Sequence, residues 1–87
     1  MNTASSKYFD KRVKKLPLAV REAMVGRIQL FTENPYHPTL NNHSLHGHLR
    51  NYRSINITGD YRLMYEQYDA QTARLIDIGT HHELYGS

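Results

Sequence analysis

Cysteine is absent from the 87-residue chain. That removes disulfide bridges, a thiol nucleophile and thiolate metal ligation together. Long hydrophobic runs are missing as well, since no apolar stretch approaches the roughly 20 residues that span a bilayer. The opening residues Met1-Asn2-Thr3-Ala4-Ser5-Ser6 have no apolar core. A secretory signal is therefore not expected there, and the expected address is the cytoplasm with no membrane partner. No internal repeat and no low-complexity tract interrupts the chain. Net charge is modest at +3, with a sequence pI near 9.3; this is compatible with a polyanionic partner but does not by itself demand one. With 39% hydrophobic and 22% charged residues, the composition is that of an ordinary globular protein. Its length supports one core, hence one domain over residues 1–87.

What the chain does have is concentrated in its second half, from Leu45 to Tyr85. Tyr52-Arg53-Ser54-Ile55-Asn56-Ile57 alternates, which places Ile55 and Ile57 on one face with Arg53 and puts Ser54 and Asn56 on the other. Thr58-Gly59-Asp60 then breaks the run, a hairpin signal in which glycine supplies positive φ. Tyr61 to Tyr68 is the returning strand. Asp69-Ala70-Gln71-Thr72 is a second turn, and Ala73 to Gly79 a third strand before the closing Thr80-His81-His82-Glu83-Leu84-Tyr85. An antiparallel meander of this kind has a core face and an open face, and polar groups repeated on the open face can act together.

The first half reads as helical. Ser5 and Ser6 are cap residues for a helix from Lys7 to Lys15, with Phe9, Val13 and Leu16 on one stripe and the lysines largely off it. Pro17 ends that helix and suits the first turn of the next, Leu18 to Glu33, where Val20, Met24, Ile28 and Phe31 repeat at helical spacing. The two should form a hairpin whose apolar side covers the sheet, meeting Ile55, Ile57, Leu63, Tyr65 and Leu75 or Ile76. Asn34-Pro35-Tyr36-His37-Pro38-Thr39 is a loop, and Leu40 to Arg50 leads into the first long strand along the sheet edge.

Six histidines invite three explanations. His43, His46 and His48 make a dense cluster, but their spacing matches no standard ligand pattern and no cysteine supports it, so no metal and no cofactor is expected. Surface or capping roles suit any one histidine taken alone. As a set, in the company of Asp60, Arg53, Arg62 and Tyr85, they suit acid-base chemistry on a phosphodiester. One imidazole takes the proton of an attacking hydroxyl, another protonates the leaving oxygen, and arginine stabilises the developing charge. RNA fits better than DNA because it carries its own nucleophile, the 2′-hydroxyl.

At this point the sequence resembles the RelE/ParE superfamily of bacterial toxins from type II toxin-antitoxin systems, in particular its YafQ-like branch. The resemblance is carried by Phe9 to Leu16, by Asn34-Pro35 followed by His43-Ser44-Leu45-His46-Gly47, by Tyr52-Arg53-Ser54, by Gly59-Asp60-Tyr61-Arg62-Leu63-Met64-Tyr65, and by Ile78-Gly79-Thr80-His81-His82-Glu83-Leu84-Tyr85. It implies an α+β fold: an N-terminal helical hairpin on a small antiparallel sheet, with a first edge strand that is short or missing because Asn2 to Lys7 is polar. It also implies a ribosome-dependent endoribonuclease that cuts messenger RNA without a metal. Such a toxin is neutralised by a cognate antitoxin and meets operator DNA only as the toxin-antitoxin complex.

The resemblance assigns His81 as general acid, Asp60 or His43 as the base or its partner, and Tyr85 as a substrate-positioning group. Arg62 is our own candidate for the phosphate, with His46, Arg50, Arg53 and Tyr61 as RNA-binding candidates. Two departures bear on catalytic strength: Asn56 stands where relatives have a histidine, and Asp77 where they have an arginine. The alternatives on the same fold are a ParE-like toxin that inhibits gyrase by binding, and a catalytically weakened toxin that persists as an antitoxin-binding partner.

Overall fold

Ser6 turns the chain from strand into helix. In the computed structural model, which describes residues 1–86, it is extended (φ −77°, ψ 159°) and its hydroxyl accepts the Phe9 amide at 3.0 Å, satisfying one orphan donor of the first helix. Ser87, the last residue of the expected domain, lies outside the described residues. The first strand, β1 (Asn2–Ser5), precedes α1 (Lys7–Lys14), and α2 (Leu18–Glu33) follows Pro17. Short 3-10 turns at Pro38–Leu40 and Gly47–Leu49 flank β2 (His43–Ser44). Then come β3 (Arg53–Asn56), β4 (Tyr61–Asp69), β5 (Thr72–Thr80) and the terminal helix α3 (His81–Tyr85).

The five strands lie in the order β1-β5-β4-β3-β2. The last four are antiparallel neighbours, whereas β1 runs parallel to β5. The sheet is thus mixed, and the first edge strand is present, though only four residues long. Its polarity is no obstacle, because an edge strand needs backbone partners more than apolar side chains. The Asn2 amide donates to Gln71 O at 2.7 Å, and the Met1 amine donates to Thr32 O at 2.9 Å.

One face of the sheet holds the core. Ile55, Leu63 and Ile78 sit side by side across β3, β4 and β5, all at 1% exposure or less. Tyr65, Leu75, Ala73 and Ile57 join them, covered by Phe9, Val20, Met24, Phe31 and Leu40. Tyr65 meets Phe31 edge-on at 4.9 Å, an arrangement that contributes about 0.5–1.5 kcal/mol beyond burial. A register shift resolves the choice between Leu75 and Ile76. Met64 pairs Asp77 while Tyr65 pairs Leu75, so Leu75 faces the core and Ile76 is the extra residue of a bulge. The bulge also turns Asp77 onto the open face.

The β3–β4 reversal differs in detail from the sequence expectation. Gly59 does not adopt positive φ; among the described residues that conformation belongs to Asn41, Gly47 and Gly86. Instead the Thr58 hydroxyl accepts the amides of Asp60 and Tyr61 at 3.4 and 3.1 Å, so a side chain holds the turn. Among the described residues no helix is long and apolar enough to cross a membrane.

Candidate active site on the open face of the sheet

Residues directly opposite each other in neighbouring strands share a face, and so do residues two apart along a strand. Pairing therefore builds two rows on the open face. The first runs His43, Ser54, Met64, Asp77, and the second runs Asn56, Arg62, Gly79. Helix α3 closes over them. It starts at Thr80 with a reciprocal cap: the Thr80 hydroxyl accepts the Glu83 amide at 3.1 Å and Glu83 Oε1 accepts the Thr80 amide at 2.8 Å. That geometry turns the chain back across the sheet. Tyr85, at its far end, then reaches β3, where its hydroxyl donates to Ser54 Oγ at 2.6 Å.

Four of the expected residues lie on or beside this face. His43 lies opposite Ser54 on the sheet edge, exposed, with Nδ1 2.8 Å from Asn41 O. A carbonyl only accepts, so Nδ1 donates in this contact and Nε2 is left pointing away from it. The rings of His81 and Tyr85 pack edge to face at 4.7 Å. Arg62 folds its guanidinium over the hairpin, donating to Thr58 O at 2.9 Å, Tyr61 O at 3.0 Å and Gly59 O at 3.2 Å. All three partners are neutral, and among the described residues Arg62 makes no ion pair. Burial raises the Tyr85 pKa, opposed by the Ser54 hydrogen bond and the Arg62 charge, so the phenol keeps its proton at neutral pH.

Asp60 joins through its backbone. Its carbonyl accepts the His81 amide at 3.2 Å, tying the hairpin to α3, while its side chain is exposed beside the site.

The remaining candidates lie elsewhere. Arg53 pairs with Tyr65 on the core side; its Nε donates to Asn42 Oδ1 at 2.8 Å and its guanidinium sits 5.6 Å from the centre of the Tyr36 ring. Tyr61 pairs with Thr80 and packs against the core. His46 and Arg50 are exposed on the turn between β2 and β3, outside both rows.

Sequence reasoning passed over two participants. Ser54 is fully buried, and its only signal was its place on the polar side of an alternating strand. Arg12 had no sequence signal. From α1 its Nε reaches Asp77 Oδ1 at 3.1 Å and Ile78 O at 3.2 Å, and Nη2 lies 3.5 Å from Glu83 Oε2. Asp77, which stands where relatives have an arginine, is therefore ion-paired with Arg12. Asn56, opposite Arg62, has a buried Oδ1 with no hydrogen-bond partner among the described residues. Among the described residues no group of three or more histidine, aspartate or glutamate side chains could hold a metal ion.

The profile of YafQ, the bacterial toxin of type II toxin-antitoxin systems, matches residues 1–86. The chain belongs to the YafQ toxin family. No match was found among curated proteins. Solved structures similar to this YafQ-family toxin include YafQ of E. coli strain BL21(DE3), 24% identical with a TM-score of 0.78 and 98% of each chain covered. A metal-bound toxin from Helicobacter pylori is 31% identical, with a TM-score of 0.69 and 98% and 99% of the two chains covered. YafQ in the E. coli DinJ-YafQ complex is 21% identical, with a TM-score of 0.70 and 98% of each chain covered.

Proposed function

We propose that this toxin is a ribosome-dependent endoribonuclease that cleaves messenger RNA by general acid-base catalysis, restrained by a cognate antitoxin in the cytoplasm and meeting operator DNA only in that complex. The observation that carries the reading is the placement of His43, Arg62, His81 and Tyr85 on or beside the open face, with Ser54 pairing with His43 and accepting from the Tyr85 hydroxyl, and Tyr85 packing on His81. The antitoxin is suggested by the DinJ-YafQ complex of a relative.

In this reading His43 Nε2 takes the proton of the 2′-hydroxyl, whose oxygen attacks the adjacent phosphorus. The bond from phosphorus to the 5′-oxygen breaks, and His81 protonates that oxygen. The products are a 2′,3′-cyclic phosphate and a 5′-hydroxyl, and the two histidines end with exchanged protonation states. Arg62 has five N–H donors, of which three hydrogen bonds occupy the hairpin carbonyls. That leaves donors for the phosphate oxygens as charge builds on them. Tyr85, protonated and fixed by Ser54, orients the nucleotide. Asp60 is the competing base, closer in sequence to Arg62 but placed on the hairpin turn.

Messenger RNA programmed into ribosomes in magnesium buffer and exposed to wild type, His43→Ala, Asp60→Ala and His81→Ala tests the reading. Mapped cuts that vanish in His81→Ala are expected. Loss in His43→Ala with retention in Asp60→Ala identifies the base. Absence of cuts by wild type that still binds its antitoxin would defeat the nuclease reading and direct attention to a decayed toxin, or to gyrase.

A further inference from the structure

We infer that Arg12 is a positioning residue of this site, clamping α3 over the open face while neutralising the two carboxylates that border it. The inference deepens the nuclease reading and rests on it for its catalytic part. The strand β1 ends at the Ser5–Leu75 pairing, so among the described residues no strand lies beside that edge of β5 beyond Leu75. The start of α1 fills that gap: the Ser6 amide and hydroxyl donate to Leu75 O at 3.0 Å and Ile76 O at 3.4 Å, and Arg12 Nε donates to Ile78 O at 3.2 Å. The guanidinium then passes round the edge onto the open face. Its Nη2 would lie 2.6 Å from a Cβ added to Gly79, and Gly79 pairs with Arg62.

Three tasks follow from that placement. Arg12 pairs with Asp77 on β5 and with Glu83 on α3, so one planar fork joins strand to helix. Glu83 in turn caps α3 through its other oxygen, so the clamp acts on the element that carries His81 and Tyr85. Finally, without Arg12 the site would present Asp77 and Glu83 to an anionic substrate uncompensated, and like charge raises the free energy of the bound polyanion.

The test compares wild type, Arg12→Ala, Arg12→Lys and the triple variant Arg12→Ala/Asp77→Asn/Glu83→Gln in cleavage of ribosome-bound messenger RNA. Hydrogen exchange of the amides of residues 81–86 is measured in parallel. Arg12→Ala should lower kcat about 100-fold, the cost of a small displacement of catalytic groups, and raise KM. The triple variant should regain the wild-type KM, since the carboxylates are gone, yet keep the low kcat, since α3 is still unclamped. Arg12→Lys should fall between. Amide exchange in α3 should quicken about three- to fivefold in Arg12→Ala, as suits a half-exposed ion pair. An Arg12→Ala kcat within twofold of wild type, or a triple variant with the KM of Arg12→Ala, overturns the inference. Should Arg12→Ala fail to fold, Glu83→Gln keeps the cap and severs only the α3 arm; it should lose kcat without losing affinity, and unchanged kcat would count against the clamp. If wild type cuts no RNA, the nuclease reading falls and amide exchange alone decides, with unchanged α3 protection in Arg12→Ala refuting the clamp.

Discussion

The Tyr85 hydroxyl and Ser54 Oγ, 31 residues apart and 2.6 Å from each other, join the last helix to a strand two positions away in the sheet. Ser54 is fully buried, so its hydroxyl has no water to fall back on. Tyr85→Phe should therefore cost about 1 kcal/mol, the loss of one hydrogen bond with its partner left buried. The variant Tyr85→Phe/Ser54→Ala should recover most of that, because no polar group is then stranded. Urea unfolding of the four proteins in a double-mutant cycle measures the coupling; a value near zero would mean the bond is incidental.

Alkaline pH should destabilise the protein through two tyrosines. Burial raises the pKa of both Tyr65 and Tyr85 above 10.0, despite opposing hydrogen bonds from Asn42 and to Ser54. A group whose folded pKa is raised favours the protonated folded state. Its contribution is complete below the unfolded value and is lost as pH climbs from about 10 through the folded value. Stability from urea melts should thus be flat from pH 8 to 9.5 and fall above pH 10, with a shallower fall in Tyr85→Phe. A slope unaltered by that substitution would assign the alkaline loss to Tyr65 or to other groups.

The helices and the three consecutive strands β3, β4 and β5 were legible because their side chains repeat at the period of the element they form: Val20, Met24 and Phe31 in α2, and Ile55 on β3 with Ile57 just beyond its end, both entering the core. His43, His81 and Tyr85 were singled out by motif and Arg62 by its place in the strand alternation, and the fold puts all four on or beside the open face. Arg12 was not, because its partner Asp77 lies 65 residues away and the contact exists only once β1 stops short of the end of β5. The bulge at Ile76 was hidden for a related reason, since a strict alternation has no place for an extra residue. Arg53 was assigned to RNA on its charge, although the same alternation that grouped it with Ile55 and Ile57 already placed it on the core side.

That placement makes Arg53 and Asn42 a stability pair. Asn42 uses its whole amide: Nδ2 donates to Pro35 O at 2.9 Å and to the Tyr65 hydroxyl at 2.8 Å, and Oδ1 accepts Arg53 Nε. Removing it strands a phenol in a residue with 0% exposure, at a cost of about 1–3 kcal/mol. Asn42→Ala should lower Tm by roughly 4–8 °C per kcal/mol for a domain of this size. Cleavage by the folded fraction should be unchanged. Arg53→Ala should follow the same pattern; a variant of wild-type Tm with weakened RNA binding would restore Arg53 to the list of RNA contacts.

Gly79 offers the sharpest check on how the open face is assembled. A methyl group there meets Arg12 Nη2 at 2.6 Å and Glu83 Oε1 at 3.1 Å, so in Gly79→Ala the end of the guanidinium has to shift, which strains its pairing with Glu83 through Nη2. The backbone is not in the left-handed region, which makes contact rather than strain the cause. The substitution should cost about 1–2 kcal/mol as an overpacked contact. In an Arg12→Ala background the shortest contact is gone, while alanine still restricts the unfolded chain, an effect worth about 0.4–1 kcal/mol in favour of folding. The same substitution should then be close to neutral. Thermal or urea unfolding of the two single variants and the double variant decides: strong non-additivity places Arg12 over Gly79 in solution, and simple additivity would place it elsewhere.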